Sequence, residues 1–425
     1  MKLTAKPSSL LRAPQFVVFA LAVSLFCFWF GFITGAIWLY LLSITILSFS
    51  FYTCSKDNLH RYSLILFIFF FGSCFFLSPD LSDDYHRYLW EGHVLNRGYS
   101  PYQYSPETLF PTLDHPSEGL INNQHLPAIY PPLAQYLFAI SDGLSNSVLG
   151  WKIVIFLWSL AWSFLLRGPW KYTLFFCPVL LIEGWWNAHL DLAGIMPAFV
   201  FLQALQQNNA KLAGVSMGSM IALKIMPIIW FPIAYLHLRG KERLWFCIFT
   251  FGVLLAIYAP FFGQIQDLFY SFITFSKSWH FNNLIYTLLD ANDLGTFGRP
   301  LLAILFLLTY SVLCFTRLPV EQKFLSAWML LIVCSPTFFP WYMIWLVPFV
   351  PQSKQLILLI AYGASTLSYL VLINYRAHGN WAESWYWLVP EWLILSICFG
   401  LLAWKPKATS VSPAQSRESA TLTHV

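Results

Sequence analysis

The chain has very little charge. Only 10% of its 425 residues are Asp, Glu, Lys or Arg, while 58% are hydrophobic. A soluble globular domain carries about 25% charged residues. So few charges cannot cover a water-facing surface, so lipid must be the solvent for most of the chain. Patterned cysteine is also missing. The eight Cys lie in or at the ends of apolar runs, none falls in the long polar loop, and no CxxC pair occurs. That argues against a disulfide framework and against a structural zinc site.

Apolar and aromatic residues are plentiful. Aromatics reach 19%, with 20 Trp, as wide interfacial belts require. Lys2, Lys6 and Arg12 precede an apolar run from Phe16 to Ile33. The run is long for a signal core and a second one follows at once, so it reads as a retained first span.

A bilayer crossing takes about 20 mostly apolar residues, fewer where protein shields the helix. Candidate spans are 15–33, 35–53, 62–78, 147–167, 172–186, 191–206, 211–223, 225–238, 244–262, 300–316, 323–338, 341–351, 355–374 and 385–403. The stretch 211–238 reads either as one long helix or as a tight pair, and 341–351 is short. The expected fold is therefore an all-α polytopic bundle of about 11–14 transmembrane helices. With fourteen spans and a cytosolic N-terminus, 17 of the 24 Lys and Arg fall inside. Merging 211–238 would move Arg239, Lys241 and Arg243 outside, so the positive-inside rule favours the pair, with Lys224 at an outer hairpin tip. Of 19 acidic residues, only Asp57, Glu242, Glu321 and Glu418 fall inside, which points to chemistry on the outer face. Residues 1–404 form one membrane domain on this reading, with outer loops at 79–146 and 263–299. The Ser/Thr/Ala-rich tail 405–425 is expected to be a disordered cytosolic segment. Loop 79–146 far exceeds a connector's length, and its Pro and aromatic content argues against disorder.

That loop opens Asp80-Leu-Ser82-Asp83-Asp84-Tyr-His-Arg87-Tyr88-Leu-Trp90-Glu91-Gly92. A helix started at Ser82 places Asp84, Arg87, Tyr88 and Glu91 on one face, with Ser82 or Asp83 as N-cap. A solvated, capped interfacial helix would look the same. Two adjacent carboxylates where an apolar span meets the surface favour function, because acidic groups at membrane depth are costly. Gly98, Pro101, Tyr102 and then Tyr130-Pro131-Pro132 read as a rigid loop. Glu183, His189 and Asp191 share one short outer turn, without the spacing of a metal-ligand motif. Lys224, in an apolar hairpin, either snorkels or meets a phosphate as a point charge. Trp341 and Tyr342 follow the Pro-broken segment Ser335–Pro340.

Together these segments resemble the bacterial GT-C glycosyltransferases, in the mannosyltransferase-like branch that includes the actinobacterial phosphatidylinositol mannosyltransferases. The resemblance covers about residues 60–350. It is carried by Asp83 to Gly92, Gly98 to Tyr102 and Tyr130-Pro131-Pro132, and further by His189-Leu-Asp191, Lys224-Ile-Met-Pro227 and Ser335 to Tyr342. In many members the large loop follows the first span; here it follows the third, an odd number that keeps it outside.

The resemblance implies an inverting transfer of a sugar, mannose in this branch, from a polyprenyl-phosphate donor to a glycolipid or glycan acceptor. Asp84 would be the general base and Asp83 the runner-up, with Arg87 and Lys224 balancing the leaving phosphate. Tyr88, Glu91, Tyr102, Tyr130, Glu183, His189, Asp191, Trp341 and Tyr342 would line the substrate site. No cofactor, metal or nucleic-acid partner is expected. The protein would be a multi-pass protein of the cell (inner) membrane, among membrane lipids, with an extracytoplasmic site. The rival is a secondary transporter or lipid-linked-substrate flippase using the same charges as a coupling site. Transporters bind at the bilayer midplane and often carry internal repeats. Here no repeat between the halves stands out, and the acids cluster at a surface.

Overall fold

The computed structural model describes residues 14–56, 61–167 and 175–404. The expectations for Lys2, Lys6, Arg12, the tail 405–425 and the first residues of the span at 172–186 lie outside these residues.

The described residues are helices and turns. No β-strand occurs among them, only an isolated bridge between Phe281 and Thr337. Six helices are long and apolar enough to cross a membrane: Gln15–Thr34, Ile37–Cys54, Gly240–Ser278, Gly295–Phe315, Gln352–His378 and Trp385–Ala403. A helix suits lipid because its own i→i−4 bonds satisfy the backbone. Five shorter apolar helices accompany them: Tyr62–Phe76, Val148–Ser163, Asp191–Gln206, Ala210–Leu223 and Met226–His237. The fourteen expected spans thus resolve into fewer full-length helices than the sequence pattern implied. The physical reason is shielding: Asp191–Gln206 and Ala210–Leu223 are buried almost throughout, so neighbouring protein replaces lipid around them. Segment 341–351 contains only a buried 3₁₀ turn, Pro340–Leu346.

The connections between helices sort into two faces. On one, Arg376 bonds Asp80 and the Gly35 carbonyl, Asn187 accepts from Leu81 N–H, and Phe281 N–H donates to the Pro336 carbonyl. On the other, Gln206 meets Glu321, Gln203 accepts from Arg167 N–H, and Lys354 meets the Leu402 carbonyl. Alternating passages through a layer require this separation.

The stretch 211–238 is a pair. Gly214 lies against Phe246 and Thr250, and Gly218 against Thr250 and Val253. Both numbers rise together, so Ala210–Leu223 and Gly240–Tyr258 run parallel and the chain between them returns. A Cβ on Gly214 would stand 2.6 Å from the Phe246 carbonyl oxygen, so only glycine permits the approach.

The expected outer loop 263–299 is instead largely helical. The Gly240 helix continues through a 3₁₀ turn at Ala259–Gln264 into Ile265–Ser278, and Leu284–Asp290 follows. Its 39 residues at about 1.5 Å each exceed the roughly 30 Å of hydrocarbon. Residues 265–278 alternate buried Leu268 and Ser271 with exposed Phe269, Tyr270 and Ile273, the pattern of an interfacial helix. The first loop is built on two helices, Asp84–Asn96 and Pro132–Leu144, which approach closely at Gly92 and the Phe138 backbone.

Candidate functional site

A cavity of ≈ 510 Å³ opens where the first loop meets the broken helices of the same face. Asp80, Asp83, Asp84, Arg87, Asn122 and Lys224 line its polar side; Phe272, Phe275, Trp279, Phe339, Trp341 and Tyr342 line the aromatic side.

The helix carrying the acidic pair begins at Asp84, with Asp83 at the N-cap position. The expected capping role is corrected: the Asp83 side chain makes no cap bond and instead accepts from Asn122 Nδ2 at 2.6 Å. Burial, and then the neighbouring Asp84 charge, push the Asp83 carboxyl up to about 6. Asp84 keeps 32% of its side chain exposed towards the cavity. Two turns on, buried Glu91 pairs with Arg87 at 2.8 Å and accepts from Gln135 at 2.6 Å. Arg87 also donates to the carbonyls of Asn122, Asn123, Leu126 and Pro127. All five guanidinium N–H donors are thereby used, and Arg87 serves to hold the 122–127 loop at the cavity rim.

The chain reaches the next landmark through a π-helical turn, Leu180–Trp186, a distortion frequent at functional sites. Ala188 then adopts φ +58° while fully buried, a costly conformation for a residue with a Cβ. Trp151 Nε1 clamps it by donating to the Ala188 carbonyl at 2.7 Å. This sharp turn carries His189 under Asp84, with Nδ1 3.6 Å from Asp84 Oδ2 and Nε2 3.9 Å from Glu183 Oε2. The imidazole is fully buried and stacks on Trp341 with centroids 3.9 Å apart. Glu183 accepts from Tyr362 at 2.8 Å and Tyr369 at 2.6 Å.

Lys224 stands in extended backbone just after Leu223, where Pro227 prevents the helix from continuing. It is not a solitary charge at a hairpin tip. Its Nζ donates to both Asp191 oxygens at 2.8 and 2.9 Å and lies 4.9 Å from the Tyr342 ring centroid. Removing it would strand the buried Asp191 carboxylate, so a neutral substitution at Lys224 costs stability as well as a cation.

Asp83, Asp84, Arg87, Tyr130, Lys224, Trp341 and Tyr342 all border the cavity. Tyr88, Glu91, Tyr102, Glu183, His189 and Asp191 stand behind that lining. Tyr88 packs flat on Phe138, and Tyr102 donates to the Tyr130 carbonyl at 2.8 Å. Sequence reasoning missed Asp80, Asn122, Arg376 and the aromatics Phe272, Phe275 and Trp279. The last three recur at i, i+3 and i+7, a helical signal that was legible in the segment taken for a loop. No family model matches the chain, and no curated protein matches it.

Proposed function

We propose that the chain is an inverting glycosyltransferase, moving a sugar, mannose on the branch it resembles, from a polyprenyl-phosphate donor to a lipid or glycan acceptor at the outer face of the cell membrane. The observation that carries this reading is the meeting of Asp83 and Asp84 with Lys224 and an aromatic wall in one cavity. The acceptor oxygen attacks the anomeric carbon and its proton passes to Asp84. The bond from that carbon to the phosphate oxygen breaks, and its electron pair leaves with the lipid phosphate. One displacement inverts the centre.

The cation for the leaving phosphate is Lys224 rather than Arg87. Arg87 has no donor left over, whereas Asp191 engages two contacts of an ammonium with three N–H groups. The apolar wall suits the isoprenoid and the flat faces of sugars.

The test is sugar transfer from a polyprenyl-phosphate donor to membrane extract at matched expression. Base catalysis contributes about 10²–10⁴-fold, so Asp84→Asn lowers turnover by that range while donor binding survives. Loss confined to Asp83→Asn would exchange the two carboxylates' roles. Full activity in both single variants and in the double variant would remove the mechanism and return the transporter reading.

A further inference from the structure

His189 has no ordinary place in a buried core. Its ring is fully buried and neither nitrogen has a hydrogen-bond partner at normal length. Both nitrogens nevertheless face carboxylate oxygens, Nδ1 towards Asp84 at 3.6 Å and Nε2 towards Glu183 at 3.9 Å. Orphaned nitrogens at this depth are costly, and catalytic hydrogen bonds are often long before substrate binds.

We infer that His189 is the positioning residue of the proposed base: through Nδ1–H it holds Asp84 Oδ2, leaving the other carboxylate oxygen to take the acceptor's proton. The inference rests on the glycosyltransferase reading. Of the two carboxylates that the ring faces, one already has its donors without the imidazole. Glu183 does not need it, because Tyr362, Tyr369 and Asn187 already donate to its two oxygens. Asp84 has no other side-chain partner among the described residues, so the N–H belongs there. The ring cannot turn freely to choose. Trp341 stacks on its face with an interplanar angle of 24°, and the His189 backbone N–H donates to the Glu183 carbonyl at 3.2 Å. The left-handed Ala188 and its clamp by Trp151 hold the turn from the other side. Backbone strain, aromatic stacking and a satisfied carboxylate behind the ring all serve one placement, that of Nδ1 beneath Asp84.

The two amide replacements of histidine separate this role from a merely structural one. Asn puts a donor at the place of Nδ1, and Gln puts one at the place of Nε2. In the transfer assay His189→Asn retains turnover within about tenfold of the wild type, while His189→Gln and His189→Leu lose about 10²-fold, the scale of a misplaced reacting group. The KM for donor stays unchanged in all three. In an Asp84→Asn background, His189→Leu costs nothing further, because the residue acts through Asp84. Rescue by Gln and not by Asn, unchanged turnover in His189→Leu, or a full further loss in the Asp84→Asn background would each overturn the assignment. Absence of transfer in the wild-type protein would instead defeat the functional reading itself, which keeps the two failures distinct.

Discussion

Asp83 and Asp84 are adjacent in sequence and differ in environment. Asp83 is held by Asn122 and pushed up to about 6, first by burial and then by the Asp84 charge. A folded-state value above the unfolded one means that the folded state prefers the protonated group. That preference stabilises fully below the unfolded value of about 3.9 and is lost as pH rises through 6. Asp83→Asn is neutral at every pH, so it is expected to raise the melting temperature relative to wild type at pH 8 and to lose that advantage at pH 4. Thermal unfolding in detergent at the two pH values checks this; an advantage confined to pH 4 would contradict it. The acidic pair was legible because it stands at the end of an apolar run. The state of Asp83 was not, because its burial arises only when the loop folds over it, bringing Asn122 from 39 residues away.

Among the elements, interrupted helices build the site. The π turn at Leu180–Trp186 precedes the sharp bend at Ala188, the extended residue at Lys224 ends a helix at the cavity, and the 3₁₀ turn at Pro340–Leu346 starts there with Trp341 and Tyr342. Helix ends expose backbone and polar side chains that a continuous helix would hide, which lipid forbids and a protein-lined cavity permits. Proline at 227 and 340 announced two of these breaks; the π turn carries no comparable signal. The parallel packing of Ala210–Leu223 on Gly240–Tyr258 carries Lys224 to the cavity. Gly214→Leu is expected to destabilise by more than the about 1–3 kcal/mol of ordinary overpacking, since backbone rather than a movable side chain opposes it. A thermal-unfolding comparison with Gly252→Leu is the control, since a Cβ at Gly252 meets nothing within 4 Å. Equal losses in the two variants would refute the close approach as the cause.

For the whole molecule, the two faces differ in charge. Seven Lys and Arg fall on the cavity side of the layer: Arg87, Arg97, Lys152, Lys224, Lys277, Arg299 and Arg376. Five of them are tied to protein acceptors: Arg87, Lys152, Lys224, Arg299 and Arg376. The other basic residues among the described ones lie on the other side, the bias that orients a chain in a membrane. A cysteine placed near Glu118 is therefore expected to react with an impermeant thiol reagent in intact cells, and one near Lys241 to be protected. The reverse labelling would invert the orientation and remove the outer site.

Composition determined that most of the chain lies in lipid, because so few charges leave no other solvent, and apolar runs of about 20 residues determined that it crosses as helices. Charge bias and breaker residues determined the pairing at 211–238 and the face on which Asp84, Lys224 and Trp341 emerge. Those are local or summed properties, readable one segment at a time. Only the tertiary structure decided which charges are already consumed. Arg87 is spent on the 122–127 loop and Lys224 is bound to Asp191, whereas His189 is placed between two carboxylates. Each of these pairings joins residues far apart along the chain, or turns on a strained bend such as Ala188. In a low-dielectric interior such pairings, more than residue type, decide what a charge can do.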